Sequence, residues 1–242
     1  MRNPKDLDDR RLIAELRAMV RQFDDSTALA QVREQQKKDP FKVLIATVLS
    51  QRTRDENTTR ASNSLFSEYP TAEALAKARI RDVERRVKPS GFYHVKARKI
   101  REIARILLER YEGRVPSKME ELLELPSVGR KTANCVLVYA FDKPAIPVDT
   151  HVHRVSNRLG IVHTKNPEET EEQLSHFLDK AYWIEINELM VEFGKTICRP
   201  IGPRCDICRL NRLCDYTRNE KVSYRKGPDT AFAPRDARLL AP

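Results

Sequence analysis

The amino-acid sequence predicts an all-α fold, and three observations support this prediction. Apolar residues recur at helical spacing on a charged background from Leu7 to Phe23. The same spacing returns from Val95 to Tyr111, where Ile100 and Leu107 lie on one stripe. Few other stretches combine the alternation and the β-branched residues that are typical of strands.

The remaining helices follow from local patterns. The stretch from Phe41 to Leu49 is almost wholly apolar, so its periodicity does not separate a buried helix from a buried strand. We expect a helix there because the chain has few other strand candidates. Further helices are predicted over Asp55 to Phe66, Thr71 to Val87 and Tyr182 to Ile197.

Caps and breaks divide these helices. Ser117-Lys118-Met119-Glu120 has the form of a capping box that opens a short helix. Asn166-Pro167-Glu168-Glu169 predicts another helix start, with proline at the first helical position. Lys88-Pro89-Ser90-Gly91 predicts a break between two helices. Asp24 to Ser26 should end the first helix, residues 33–40 form a loop, and residues 218–242 form a flexible tail.

Composition constrains the partner and the compartment. The 242 residues carry a formal charge of +10 and a pI near 9.5, which suits a polyanionic partner but also a solvated basic surface. The longest apolar runs, Val43 to Leu49 and Cys135 to Phe141, are much shorter than the ~20 residues of a membrane span. The charged N-terminus does not resemble a signal peptide. We expect an intracellular protein without membrane contact.

Two polar motifs lie between Leu122 and Arg154. In Leu125-Pro126-Ser127-Val128-Gly129-Arg130-Lys131-Thr132-Ala133, a turn precedes a new helix, whose unpaired N–H groups can bind phosphate. Lys131 falls in the first turn, where the helix dipole disfavours a cation, so we expect a lowered pKa. A lysine in this position of a turn can also serve only to contact a phosphate, without taking part in chemistry. Asp149 predicts the N-cap of a further helix.

Four of the five cysteines form the pattern C-x6-C-x2-C-x5-C near the end of the chain. In an intracellular protein such spacing indicates a metal site rather than disulfides. Tetrahedral zinc and a [4Fe–4S] cluster both accept four thiolates, and the spacing leaves the two open. The fifth, Cys135, lies in an apolar run and is expected to be a core thiol.

Together, these motifs resemble the helix-hairpin-helix DNA glycosylases of base-excision repair, and most closely the endonuclease III family. The resemblance implies a helix-hairpin-helix DNA glycosylase fold with two helical domains flanking a DNA-binding cleft. One domain is a helical barrel over residues 33–143, and the other joins residues 1–32 to 144–217. Lys131 would be the nucleophile and Asp149 the catalytic carboxylate. The resemblance also favours a [4Fe–4S] cluster, with the ligands Cys198, Cys205, Cys208 and Cys214.

The sequence departs from the family at two points. Ser127 stands where the family has the first glycine of L-P-G-V-G, and a serine adopts a positive φ only at some cost. In the family segment L-S-x-Q-x-x-D, a glutamine fills the gap left by the flipped base. Arg52 aligns with that glutamine, Gln51 precedes it, and either could fill the gap.

The resemblance also implies a set of DNA contacts. Phe92, in Gly91-Phe92-Tyr93, would act as an apolar wedge that offsets base unstacking. The alternative places Phe92 and Tyr93 in the core. Arg199 and Arg204, on a proline-stiffened loop, would meet phosphates. The full predicted set is Gln51, Arg52, Phe92, Tyr93, Val128, Gly129, Arg130, His151, Arg154, Arg199 and Arg204.

The function implied is that of a bifunctional DNA glycosylase/AP lyase for oxidised pyrimidines such as thymine glycol. Its partner would be double-stranded DNA containing damaged bases or abasic sites, bound by a monomer. One alternative is a monofunctional relative that removes mispaired adenine or thymine, but such enzymes lack lysine at the position of Lys131. The other is a DNA-binding module without enzymatic activity.

Overall fold

The computed structural model describes residues 7–21, 23 and 39–218, and every regular element within these ranges is helical. The all-α prediction is therefore confirmed. None of the helices in these ranges is long and apolar enough to cross a membrane. The predicted loop at 33–38, the helix end at 24–26 and the tail from 219 lie outside the described residues.

The helices are α1 (Asp9–Val20), α2 (Pro40–Ser50), α3 (Asp55–Phe66), α4 (Ala72–Lys77), α5 (Ile80–Val87), α6 (Tyr93–Tyr111), α7 (Met119–Leu123), α8 (Arg130–Phe141), α9 (Thr150–Leu159), α10 (Pro167–Phe177) and α11 (Trp183–Thr196), with a 3-10 turn at Lys180–Tyr182 before α11.

The apolar stretch after residue 40 is a buried helix, as predicted. Asp39 caps α2 and accepts a hydrogen bond from the backbone N–H of Phe41 (2.9 Å), and Pro40 occupies the first helical position. Every residue from Val43 to Leu49 is buried, which explains the absence of a polar face in this segment.

The prediction of one helix from Thr71 to Val87 is wrong, because the segment divides into α4 and α5. Ala78 adopts an extended backbone (ψ 145°) between them. The side chain of Arg101, on α6, donates to the carbonyl of Ala78 (3.2 Å). A long-range hydrogen bond thus satisfies a carbonyl that the break leaves without a helical partner.

The predicted capping box before α7 is also wrong. Lys118 is the N-cap, and no side chain caps the helix. Ser117 instead accepts two hydrogen bonds from Nζ of Lys143, at its carbonyl (2.5 Å) and its hydroxyl (3.0 Å). The serine therefore joins this helix start to the loop after α8.

The buried apolar side chains form two clusters. The first contains buried residues between Phe41 and Ala145. The second combines residues of α1 with residues between Ile146 and Cys214. The chain passes from one cluster to the other between Ala145 and Ile146, just before the segment that carries Asp149.

Buried polar contacts join the two clusters beneath the polar motifs. Tyr139, on α8, donates its hydroxyl to Asn187 of α11 (2.9 Å), and Asn187 donates to the carbonyl of Pro147 (2.7 Å). Asn134 donates to the carbonyl of Ile146 (3.3 Å). Because buried polar groups are costly unless paired, these bonds fix α8 against α11 and the segment before α9.

Candidate active site

The hairpin between α7 and α8 has the backbone that its departure from the family pattern predicts. Ser127 adopts φ 63°, in the left-handed region, where a residue with a Cβ is strained by about 1–3 kcal/mol. Its carbonyl accepts a hydrogen bond from Nε2 of Gln51 (2.9 Å), which ties the hairpin to the end of α2. Gly129 is the N-cap of α8 and provides no side-chain cap, so the first amides of α8 are suited to an anion.

Lys131 and Asp149 line one cleft of about 500 Å³. Lys131 is the second residue of α8, and Asp149 caps α9. Asp149 accepts hydrogen bonds at Oδ1 from the amides of His151 (2.8 Å) and Val152 (2.9 Å), which confirms the predicted N-cap. The N-terminus of α8 therefore places Lys131, and the N-terminus of α9 places Asp149, in the same cleft.

The prediction of a lowered pKa for Lys131 is wrong for the free protein. The pKa is raised, with the charge of Cys135 as the largest cause, and Asp149 and Asp55 add to the rise against the opposing effect of burial. Burial is the largest cause of the raised pKa of the Cys135 thiol, and Lys131 acts against it. Cys135 and the two carboxylates together favour the protonated form of Lys131.

Two charged residues of the cleft were not singled out from the sequence. Asp55, at the start of α3, forms an ion pair with Lys195 of α11 and faces the same cleft as Lys131. Asp55 matches the last residue of the family segment L-S-x-Q-x-x-D, so the sequence offered a signal that it lies in the site. Nothing in the local sequence around Lys195 indicates this pairing, because the partners lie 140 residues apart.

Cys135 was expected to be an inert core thiol, and it is fully buried as predicted. Its thiol nevertheless interacts with Lys131, since each of the two residues shifts the pKa of the other. The two residues are four apart on α8, so they lie on the same helix face. The motif spacing contained this signal, although the apolar surroundings of Cys135 favoured a purely structural role.

His151 lies beside Asp149 in the cleft and contacts Nη2 of Arg154 through Nδ1 (3.2 Å). Burial is the largest cause of its lowered pKa, and Asp149 acts in the opposite direction. Gly194 of α11 lies so close that a Cβ there would be 2.8 Å from Nδ1 of His151. The absence of a side chain at Gly194 therefore allows α11 to approach the start of α9.

Gln51, Arg52 and Phe92 lie on two neighbouring loops. The side chain of Gln51 is half-buried and also donates to the hydroxyl of Thr132 (3.3 Å). Arg52 and Phe92 are exposed, and both have positive φ angles, of 50° and 58°. Tyr93 packs against the first apolar cluster, as the alternative for that residue predicted.

The predicted phosphate contacts differ in how freely they face solvent. Arg130 forms a two-point ion pair with Glu171 (2.8 and 3.0 Å). Arg154 donates to the carbonyls of Gly194 (3.0 Å) and Cys198 (3.1 Å). Both side chains would have to exchange these partners for DNA. The side chain of Val128 is buried, Gly129 and Arg199 are exposed, and Arg204 is half-buried.

Cys198, Cys205, Cys208 and Cys214 line one small cavity near α9. Arg158 extends over this cavity, with Nη1 3.8 Å from the sulfur of Cys198 and further bonds to the carbonyls of residues 199 and 200. Across residues 7–218, as far as they are described, no three His, Cys, Asp or Glu side chains converge closely enough to bind one metal ion. The four cysteines nevertheless lie around one cavity.

Comparisons with known proteins agree with this arrangement. Residues 45–180 match the family model described as "HhH-GPD superfamily base excision DNA repair protein". Endonuclease III of Thermotoga maritima is 57% identical over 186 residues, which cover 77% of this chain and 87% of that protein. A non-covalent endonuclease III–DNA complex superimposes with a TM-score of 0.78 at 34% identity, covering 90% of this chain and all of that one. A trapped endonuclease III–DNA covalent intermediate gives a TM-score of 0.76 at 33% identity, over 89% of this chain and all of that one. The chain belongs to the HhH-GPD superfamily of base excision DNA repair proteins and, within it, to the endonuclease III family.

Proposed function

We propose that this chain is a bifunctional DNA glycosylase/AP lyase that removes oxidised pyrimidines, such as thymine glycol, from double-stranded DNA. The observation that carries the proposal is the placement of Lys131 and Asp149 at two helix N-termini facing one cleft. A lysine in that position supplies an amine nucleophile, which a monofunctional glycosylase lacks. The cleft volume of about 500 Å³ falls within the range of roughly 300–1,000 Å³ that is usual for ligand sites.

The first step is proton removal from Lys131, because only a neutral amine is nucleophilic. The carboxylates of Asp149 and Asp55 favour the ammonium in the free protein. Both amides that contact Asp149 bond to Oδ1, which leaves Oδ2 as the oxygen for proton transfer. DNA binding would exclude water from the cleft and bring the sugar between the two side chains.

The neutral amine then attacks the anomeric carbon of the damaged nucleotide. The bond from that carbon to the base breaks, and the base leaves with a proton. Opening of the sugar ring converts the adduct to a Schiff base, in which Lys131 is joined to the anomeric carbon by an imine. Loss of a proton from the adjacent carbon then expels the 3′ phosphate by β-elimination. Throughout these steps, Asp149 stabilises the positive charge that develops at the sugar.

The contacts of Gln51 and Arg52 favour one of these two residues as the one that fills the gap left by the flipped base. Gln51 is bonded to the hairpin through Ser127 and Thr132. Arg52 is exposed at the edge of the same cleft. We therefore assign the gap-filling role to Arg52 and the wedge to Phe92, whose side chain is 66% exposed.

The cysteine cavity fits a [4Fe–4S] cluster held by Cys198, Cys205, Cys208 and Cys214. A [4Fe–4S] cluster is held by four cysteine thiolates, and the four cysteines line one cavity here. The guanidinium of Arg158 beside Cys198 is suited to a thiolate ligand. We propose that the cluster braces the loop carrying Arg199 and Arg204 and is not consumed in the reaction.

The two apolar clusters support a division into two domains: one cluster lies within residues 41–145, and the other combines residues 12–20 with 146–214, so the passage falls two residues after the expected boundary between 143 and 144. We propose that DNA lies across the cleft between them. A monomer in the cytoplasm, associated with the nucleoid in a prokaryote, would suffice for this activity, since Lys131 and Asp149 come from one chain.

Borohydride trapping on a duplex with a single thymine glycol tests this function. Wild type would form a covalent protein–DNA adduct, Lys131→Ala would form none, and Asp149→Asn would form it far more slowly. Base release without an adduct in wild type would point to a monofunctional glycosylase. Binding without adduct or base release would identify a DNA-binding module and refute the role of Lys131.

A further inference from the structure

Lys96 is a buried cation outside the proposed chemistry. It lies in the first turns of α6, and only 6% of its surface is exposed. Its Nζ contacts four oxygens: the carbonyls of Leu49 (2.8 Å) and Gln51 (2.6 Å) and the hydroxyls of Thr53 (2.8 Å) and Ser90 (2.8 Å). Among the described residues, the structure records no carboxylate bonded to this ammonium.

A buried ammonium without a counter-ion is costly. Desolvation lowers the pKa of Lys96 to about 8. The four oxygens offset part of the cost, because hydrogen bonds to a charged donor are stronger than neutral ones. Leu49 and Gln51 lie at the C-terminal end of α2, where free carbonyls and the helix dipole favour a cation.

Three of the four oxygens belong to two separate loops, and the fourth, the carbonyl of Leu49, lies in the last turn of α2. One loop, Gln51–Thr53, leaves the end of α2. The other, Ser90–Phe92, leads into α6. Direct bonds between the loops are longer than those to Lys96: the amide of Gly91 donates to the Thr53 hydroxyl at 3.2 Å, and the hydroxyls of Thr53 and Ser90 are 3.4 Å apart. Lys96 therefore makes the shortest contacts that join the two loops.

The backbone beside this link is strained on both sides. Arg52 and Phe92 each have a positive φ, and each side chain is exposed. A Cβ on Gly91 would lie 3.2 Å from the carbonyl of Arg52, so the loops approach closely at this point. Strained backbone persists only where surrounding contacts hold it in place.

We propose that Lys96 is a positioning residue that locks the Gln51–Thr53 and Ser90–Phe92 loops together, so that Arg52 and Phe92 enter DNA as one rigid unit. This inference rests on the proposed function for the identity of the two entering side chains. It assigns no chemical step to Lys96. Because the two loops are already ordered in the free protein, DNA binding does not incur the entropy cost of ordering them. The affinity for a site that accepts both side chains is therefore higher.

A double-mutant cycle tests the proposal by equilibrium binding rather than by catalysis. The quantity measured is the ratio of affinities for a duplex containing a tetrahydrofuran abasic analogue and for the intact duplex. It is determined for wild type, Lys96→Met, Arg52→Ala/Phe92→Ala and the triple variant. Taking a ratio cancels any general loss of positive charge. Lys99→Met is the matched control, because it removes the same charge from the same helix at an exposed ion pair with Glu102.

Lys96→Met should lower the ratio about tenfold in the wild-type background but less than about twofold when Arg52 and Phe92 are already truncated, as expected for coupled residues. Lys99→Met should leave the ratio unchanged. Equal losses in both backgrounds would show that Lys96 only supports the fold, and a wild-type ratio of one would likewise overturn the inference. Failure of the proposed chemistry would show separately, as an absent borohydride adduct with the binding ratios intact.

If Lys96→Met does not fold, Ser90→Ala replaces it in the same cycle. Ser90 is buried, accepts from Lys96 and donates to the carbonyl of Leu49 (3.0 Å). Its loss removes one of the four oxygens and leaves the cation in place. We expect a smaller decrease of the ratio in the wild-type background and none in the truncated background, and equal decreases would refute the proposal.

Discussion

Asp149 combines a structural cap with a proposed catalytic carboxylate, and two substitutions separate these roles. Asparagine retains an oxygen that can accept from the amides of His151 and Val152, whereas alanine does not. Both substitutions remove the negative charge. The difference in stability between Asp149→Asn and Asp149→Ala therefore isolates the cap.

Loss of an N-cap side chain costs about 1 kcal/mol, within a range of about 0.5–2 kcal/mol. In a protein of this size, 1 kcal/mol changes the Tm by about 2–4 °C. We expect Asp149→Ala to unfold about 2–4 °C below Asp149→Asn. Base release should fall by about 10²–10⁴-fold in both variants, because a positioned acid–base group contributes that much.

Thermal unfolding followed by circular dichroism gives the stability difference, and single-turnover base release gives the rates. Equal Tm values would show that the bonds to His151 and Val152 do not stabilise α9. Near wild-type base release by Asp149→Asn would refute the catalytic role of the carboxylate. Loss of activity in Asp149→Ala alone would mean that the cap, and not the charge, supports catalysis.

Four further predictions follow from the same geometry. Asp55→Asn removes a carboxylate that helps to raise the pKa of Lys131, so the rising limb of the pH–trapping profile should move to lower pH; an unmoved limb would contradict that coupling. Gly194→Ala should lower the urea midpoint, because overpacking against His151 costs about 1–3 kcal/mol and the helix-propensity gain returns only about 1 kcal/mol. DNA affinity should fall steeply with salt, with a log–log slope of about −0.9 per phosphate contacted, and a flat response would exclude an extended cleft. Cys208→Ser should abolish the broad visible absorbance of an iron–sulfur cluster in the purified protein, and retained absorbance would exclude this residue as a ligand.

Several local features were predictable because short-range physics decides them. The bounds of α3 match the prediction, and the caps of α9 and α10 lie on Asp149 and Asn166, whose short polar side chains accept from amides within three residues. The positive φ of Ser127 followed from its place in a turn that the family builds with glycine. Each of these features depends on neighbours along the chain.

The two errors in helix boundaries share one cause, which is the contribution of residues distant in sequence. The capping box at Ser117 fails because Lys143 occupies the serine. The helix from Thr71 to Val87 breaks at Ala78, whose carbonyl is satisfied by Arg101. In each case, a partner more than twenty residues away supplies a hydrogen bond that local propensity does not take into account.

The sequence alone determined the helical class, the two motifs that bear Lys131 and Asp149, and the family, because periodicity and motif spacing are properties of the chain itself. Only the tertiary structure decided the charge environment of those motifs. Cys135 is the largest cause of the raised pKa of Lys131, but the contributions of Asp149 and Asp55 require the fold to bring them to the same cleft, and Lys96 joins two loops that lie far apart along the chain. Electrostatic interactions depend on distance in space and on burial, and neither can be read from position along the chain.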